Sequence, residues 1–484
     1  MGRHLARTAH SGRVGRGRRR QPGQGAMTPG HLLVAGLNLR KGLANATRRP
    51  RFLRWLIEVS PDILLIQETQ SAQAANQAVI PGYRRIAGDL SLTSWARDGV
   101  AARPVGAARW YQTLEAHGRL IGNVHLSPSS GRERADQLSQ LLEANKPGQE
   151  LDLLAGDFNL APRRQDGIFG DRLSTFTSGA ERSAFRALLD GGGLVDVLAE
   201  GEQEFTFERQ LRSQTSSFRC DLALLRQGIA ERSVAAYDHS PRSSFSDHSA
   251  VLVSIPVGAG RVPARPEDDP ATAVPAHTAM RRSTASPWAQ WVATALAPKA
   301  AGGRVLDFGC GHGRDVRFYN ESGFHAVGYD TDPMFAAALP PEGTFPVITM
   351  LFVLNTIASP KQRLAALRQA TAHLDDDGVL LVATRSPQEV ERQASTRSWD
   401  AVGDGYWSSR ARRTFQRGIG TEELRHLGVC GGLTVSAQLP KRSWPVGASA
   451  LLFRLRDAQR GRPTAGRRPA ATGVLTTSMA DTLF

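Results

Sequence analysis

The stretch Leu151 to Pro162, LDLLAGDFNLAP, constrains this chain most: an apolar run closed by Gly156 and Pro162, with Asp157 and Asn159 one residue apart. A run of that length between turn-forming residues predicts a buried strand, which sets the polar pair at its exposed end. Alternation along a strand puts Asp157 and Asn159 on one side, where a carboxylate and an amide could share a phosphate oxygen, a water or a divalent cation. An ordinary turn uses the same residue types, so the pair gains meaning only from what else converges on it.

Other predicted strands also end in polar residues. HLLVAGLNL, from His31, predicts a strand ending in Asn38, and PDILLIQET predicts another with Glu68 at its end. Phe52 to Ile57 predicts a short helix with Leu53, Leu56 and Ile57 on one face. Residues 84–118 show no readable period. GNVHLSP predicts a strand carrying His125, and Ala135, Leu138, Leu141 and Leu142 mark the amphipathic helix after it. A helix from Glu181 to Asp190 follows, then strands at LVDV, FTF and FRCDLALL, the last carrying Arg219 and Asp221. SFSDHSAVLVSI sets Asp247 and His248 immediately ahead of a final apolar strand. Asn38, Glu68, His125, Asp157, Asn159, Asp221, Asp247 and His248 together are the parts of metal-assisted phosphodiester hydrolysis. Hard carboxylate oxygens suit Mg²⁺ or Mn²⁺, and a histidine oriented by a buried Asp suits a base or a phosphate contact.

These motifs, in this order, resemble the endonuclease/exonuclease/phosphatase superfamily over residues 31–256. They are the Asn of LNLRKG, the Glu of LLIQET, GDFNLAP, RCD before an apolar strand and SDH before the last one. FTSGAERSAFRALLDGGGLVDV followed by FTF is most similar to the exonuclease III and abasic-site endonuclease branch. The resemblance implies a four-layer α/β/β/α sandwich with the site at one sheet edge. By motif, Glu68 would ligate the metal, with Asn38 and Asp247 near it. Asp157 and Asn159 would position the attacking water and the scissile phosphate, and His248, held by Asp221, would serve as general base or stabilise the phosphorane charge. His125 joins the catalytic set but departs from the exonuclease III branch, which usually has tyrosine in that strand; histidine is commoner in the deoxyribonuclease and phosphatase branches.

Residues 257–276 combine Gly, Pro, Ala and acids without apolar periodicity and predict a linker. After it, RVLDFGCGHGRDV gives a short strand, then Gly309, Gly311 and Gly313, then a helix; HAVGYD gives a second strand ending in Asp330. Glycines at such a turn let the backbone approach a ligand, and the acid can bind both hydroxyls of a ribose. This predicts a Rossmann-like α/β fold over 277–456, with a dinucleotide or S-adenosylmethionine as the competing ligands. Asp307 before the first glycine, LFVLNTI and LRQATAHLDDDGVLLVATR resemble class I methyltransferases, which implies S-adenosylmethionine. HTAMRRSTASP, GCGHGRDVR, FVLNTI and TFQRGIGTEEL are similar to the methyltransferases associated with DNA phosphorothioation, which implies DNA-modification proteins of that type as partners. Too short a stretch separates Asp330 from FPVITMLFVLN for a helix–strand–helix, so the adenine-contacting region is expected to be reduced. Cys310 reads as a small packing residue. Segment 395–417, with Trp399, Tyr406, Trp407 and many arginines, reads equally as a nucleic-acid contact or as a lid on the cofactor.

The formal charge of +15 invites a nucleic-acid partner, but seven arginines and no acid lie in residues 1–26, so much of it sits in one basic arm. Residues 1–30 and 457–484 are expected to be disordered. No apolar run reaches the roughly 18 residues of a membrane span, and three scattered cysteines suggest neither disulfides nor zinc, so a soluble cytoplasmic protein without a membrane partner is expected. The expectation is a bifunctional enzyme, a Mg²⁺-dependent nuclease acting on DNA joined to an S-adenosylmethionine-binding domain. The alternative is a phosphatase or small-molecule phosphodiesterase with a degenerate adaptor domain.

Overall fold

The computed structural model describes residues 30–457, apart from 70–78, 89–90, 146–149, 170–171, 174–176, 201–203, 212–213, 243, 258–271, 297–302, 336–340, 438, 440–443 and 446. The expected arm, linker and tail fall almost entirely outside the described residues.

Two six-stranded sheets form the centre of the first half. One runs Val234–Asp238, Ala250–Pro256, His31–Asn38, Ile63–Gln67, Leu92–Arg97, Tyr83–Gly88; the other runs Leu194–Asp196, Asp221–Arg226, Leu153–Asp157, Arg119–His125, Tyr111–Ala116, Ala102–Ala108. Alternation decides what each strand faces. Leu32 and Val34 point between the sheets with Leu153, Ala155, Ala223 and Leu225, whereas Leu33, Ala35 and Leu37 point outward beneath the helix Arg48–Val59. Helices Gly131–Ala144 and Gly179–Gly192 cover the second sheet through Leu138, Leu141, Phe185 and Leu188. The four-layer α/β/β/α sandwich follows.

Three local expectations need correction. The first helix buries Phe52, Trp55, Leu56 and Val59, and Ile57 is 79% exposed, because the helix begins earlier and its face is turned accordingly. Residues 84–118 hold four strands, two of them at sheet edges, where glycines, arginines and one-sided exposure blur the alternation. FRCDLALL is split. Gln214–Phe218 pairs in a small separate sheet and Asp221–Arg226 in the main one, the chain turning at Arg219, which is buried between Asp166 and Asp196 at 3.0 and 2.7 Å.

The second half is built on a sheet ordered His325–Tyr329, Arg304–Phe308, Phe345–Leu351, Leu374–Arg385, Ala448–Leu455, Leu433–Ala437. The first four strands are parallel, and Ala448–Leu455 runs antiparallel to both its neighbours, a Rossmann-like arrangement. His325–Tyr329 lies at one edge of the sheet, in keeping with the short stretch after Asp330. The two halves share a core. Leu424 and Leu427 of the helix Thr421–Cys430 lie in one cluster with Leu33, Leu64 and Leu252, so this helix completes the outer layer of the first sandwich.

Candidate active site and cofactor cradle

Strand direction assembles the first site. His31–Asn38 runs parallel to Ile63–Gln67, which puts Asn38 and Glu68 at one end of the first sheet. In the second sheet Arg119–His125 runs parallel to Leu153–Asp157, which pairs antiparallel with Asp221–Arg226, so His125, Asp157 and Asp221 stand side by side in register. Gly156 permits that register. It adopts φ +145°, and a Cβ there would collide with the Val124 carbonyl on the neighbouring strand.

Asp157 is 1% exposed and held from both sides, Oδ1 accepting from the Asn159 backbone N–H at 2.9 Å and Oδ2 from the Asn38 amide at 3.0 Å. The same Asn38 nitrogen lies 3.2 Å from Glu68 Oε1, so one amide ties the two carboxylates together. Its oxygen accepts from the Arg40 N–H at 2.9 Å. Asn159 and Glu68 adopt positive φ, and the Asn159 side chain donates to the Leu126 carbonyl at 3.0 Å. His248 Nδ1 sits 2.9 Å from Asp221 Oδ2, and its Nε2 reaches 3.9 Å from Asp157 Oδ2. His125 Nε2, buried and without a hydrogen-bond partner, lies 3.8 Å from that oxygen. Burial opposes protonation of His248, but Asp221 and Asp157 outweigh it and push its pKa up to about 10.

Asp157, Asp221, His248 and Cys220 lie within 4.8 Å of one another. The buried thiol is pushed well above its usual range, first by burial and then by the two aspartates, and it donates to Asp221 Oδ2 at 3.7 Å. The cluster is a hydrogen-bonded histidine–carboxylate set with a thiol beside it, a mixed soft and hard donor set rather than the all-oxygen set that suits Mg²⁺. Glu68 fits a hard divalent cation better. Its half-buried carboxylate shares the Asn38 amide with Asp157, and Asp247, next to His248 in the chain, lies 3.2 Å from Arg40 Nη1; all three carboxylates offer oxygen.

In the second half Gly309, Gly311 and Gly313 all have left-handed backbone, at φ +79°, +51° and +69°. At Gly309 a Cβ would strike Val353. The Gly311 N–H donates to Asp330 Oδ2 at 2.9 Å across the turn, so the acid and the glycines face one another at the strand ends. Asp307 is buried and accepts from Thr349 Oγ1 at 2.8 Å; burial, then Asp315, pushes its pKa up to about 7. The residues fit a nucleoside cofactor, with backbone exposed by the glycines and a carboxylate beside it.

Residues 35–248 match the model of the Endonuclease/Exonuclease/phosphatase family, and residues 280–424 match a model described as Methyltransferase domain. The chain joins one domain of each kind. No curated protein matches it in sequence. Among solved structures it is similar to the endonuclease domain of TRAS1, a telomere-specific non-LTR retrotransposon, at 17% identity over 46% of this chain and 98% of that one, TM-score 0.36. It is similar to the catalytic domain of Xenopus laevis APE2 at 14% identity over 48% of this chain and 94% of that one, TM-score 0.36. A S-adenosylmethionine-dependent methyltransferase from Clostridium acetobutylicum is similar at 12% identity over 35% and 90% of the two chains, TM-score 0.28.

Within the endonuclease/exonuclease/phosphatase domain, Asn38, Glu68, His125, Asp157, Asn159, Asp221 and His248 gather where the ends of the two sheets meet, and Asp247 pairs with Arg40. Sequence reading missed their supports. Ser246 Oγ donates to the Asn38 carbonyl at 2.6 Å and accepts the His248 N–H at 3.0 Å. Thr206 Oγ1 accepts the Asp221 N–H at 3.1 Å, and the Phe207 ring packs 4.8 Å from the His248 ring. Beneath them Gln67 and Asn123, fully buried, join the two sheets at 2.6 Å. In the methyltransferase domain Trp407 is 4% exposed and packs in a small core with Phe415, so it is not a surface for stacking bases. Cys310 packs against Gly328, and burial, then Asp307, pushes its thiol up to about 12. Among the described residues no helix is long and apolar enough to cross a membrane.

Proposed function

We propose that the first domain hydrolyses phosphodiester bonds of DNA with a divalent cation, Mg²⁺ or Mn²⁺, and that the second binds S-adenosylmethionine as a methyl donor acting on the same nucleic acid. The observation that carries the hydrolytic reading is the convergence of His125, His248, Asp221 and Glu68 around Asp157, where the ends of the two sheets meet. Glu68 would hold the cation, with Asp247 and Asn38 next to it; bound there, it would supply Lewis-acid stabilisation of phosphate charge. Asp157, fixed by the Asn159 and Asn38 donors, orients the attacking water and accepts its proton. His248 is anchored through Nδ1 on Asp221, so its Nε2 donates to the phosphoryl oxygen as charge builds there. His125 approaches Asp157 from the other side and is suited to the same phosphate.

In the second domain the glycine turn cradles the cofactor and Asp330 takes the ribose hydroxyls. Partners of the DNA-phosphorothioation type belong to this reading, and so does a location in the cytoplasm. The test is a substrate panel: single-stranded, double-stranded, abasic and phosphorothioate-bearing DNA, with a generic phosphomonoester alongside, given to the purified chain in Mg²⁺. DNA cutting is expected; turnover of the phosphomonoester alone moves the domain to the phosphatase reading.

A further inference from the structure

A second feature opens beside the cleavage centre. Arg40, Arg48, Arg242, Ser244, Phe245 and Ser246 line an open concavity of about 180 Å³. It is tied to the proposed catalytic set at two points, Arg40 to Asp247 at 3.2 Å and Ser246 Oγ to the Asn38 carbonyl at 2.6 Å. Backbone carbonyls hold its arginines in place. Arg48 donates to the Arg40 carbonyl at 3.3 Å and Arg242 to the Phe205 carbonyl at 2.9 Å, while Arg51, just outside, donates to the Ser244 carbonyl at 2.9 Å. Carbonyls fix the guanidinium groups without cancelling their charge. Among the described residues the acids ion-paired with the lining arginines are Asp247 and the half-exposed Glu208, 3.4 Å from Arg242, so three arginines outnumber them.

The helix Arg48–Val59 starts at this concavity, its first N–H capped by Asn45 Oδ1 at 2.9 Å, and its first turn carries Arg48, Arg49 and Arg51 with no acid. Cations at the positive end of a helix oppose its dipole, so folding alone disfavours this arrangement. An anion in the concavity reverses the sign of that interaction, and the forked geometry of guanidinium suits phosphate.

We propose that this concavity seats a backbone phosphate of the nucleic-acid strand, distinct from the one at His248. The proposal rests on the phosphodiesterase reading above and narrows its substrate to a polynucleotide, because a phosphomonoester or small diester has no second phosphate to place there.

The test uses the full chain in EDTA and a set of single-stranded DNA octamers, each with one phosphate replaced by an uncharged methylphosphonate. In the native chain one position is expected to cost about tenfold in Kd. In Arg48→Gln/Arg242→Gln, with its fold checked by circular dichroism, neutralising the same position is expected to cost less than about twofold. The same positional profile in both proteins, or no sensitive position, overturns the seat. Cutting of the all-phosphate strand in Mg²⁺ is scored separately. Arginine-dependent coupling without cutting overturns the hydrolytic reading and keeps the seat; cutting without coupling overturns the seat alone.

Discussion

Asp157 depends on a residue that carries no chemistry. Gly156 lets two parallel strands approach closely enough for His125 and Asp157 to stand side by side, at a φ that side chains rarely adopt. Gly156→Ala is expected to lower unfolding free energy by about 3 kcal/mol or more, through collision with the Val124 carbonyl and backbone strain. Gly36→Ala, whose Cβ would meet nothing nearer than 3.9 Å, is expected to cost far less; denaturant midpoints of the two variants check the contrast. At this scale the candidate residues that gather at the site were legible, because each lies at or near the end of a strand. Ser246, Thr206 and the Gln67–Asn123 pair were not: a lone hydroxyl in a loop or amide in a strand has no spacing signal until the fold brings it to its partner.

Elements with a clean period were read from the chain, and those without one were not. HLLVAGLN and ILLIQ are buried throughout and apolar between their ends because both faces of their strands are covered, whereas residues 84–118 include edge strands with one open side. In the glycine turn three left-handed residues and a facing acid form one unit, legible because only glycine serves those positions. Asp330 would take the ribose hydroxyls, but its carboxylate also accepts the Gly311 and Asp332 N–H groups. Asp330→Ala is therefore expected to abolish the heat of S-adenosylmethionine binding in calorimetry of the full chain, while circular dichroism stays unchanged. Binding by that variant at native affinity would detach the acid from the ribose.

At the scale of the whole molecule the two domains are bound by a polar as well as an apolar interface. His426 lies 3.3 Å from Asp62, Arg456 is 2.6 Å from Asp238, and His31 is 3.5 Å from Glu423, which Arg417 also contacts at 2.5 Å. None of this was visible in sequence, since each partner lies hundreds of residues from the other. Burial, partly offset by Glu423, lowers the His31 pKa to about 4, and burial also lowers that of His426. A histidine whose folded pKa is depressed is neutral in the fold and must not be charged. Its full stability is present above the unfolded value of 6.5 and is lost as pH falls from there toward 4. The chain is expected to unfold in one transition at pH 7.5, with both domains together, and to lose about 3 kcal/mol through His31 by pH 4. Denaturant melts at the two pH values, followed by fluorescence and circular dichroism, check both statements. The central claim is that Asp157 and His248 serve one hydrolytic centre, and DNA cleavage in Mg²⁺ by the native chain, Asp157→Ala and His248→Ala tests it most directly. The account predicts cutting by the native chain and a loss of at least about 10²-fold in each folded variant. Cutting that survives both substitutions would contradict it.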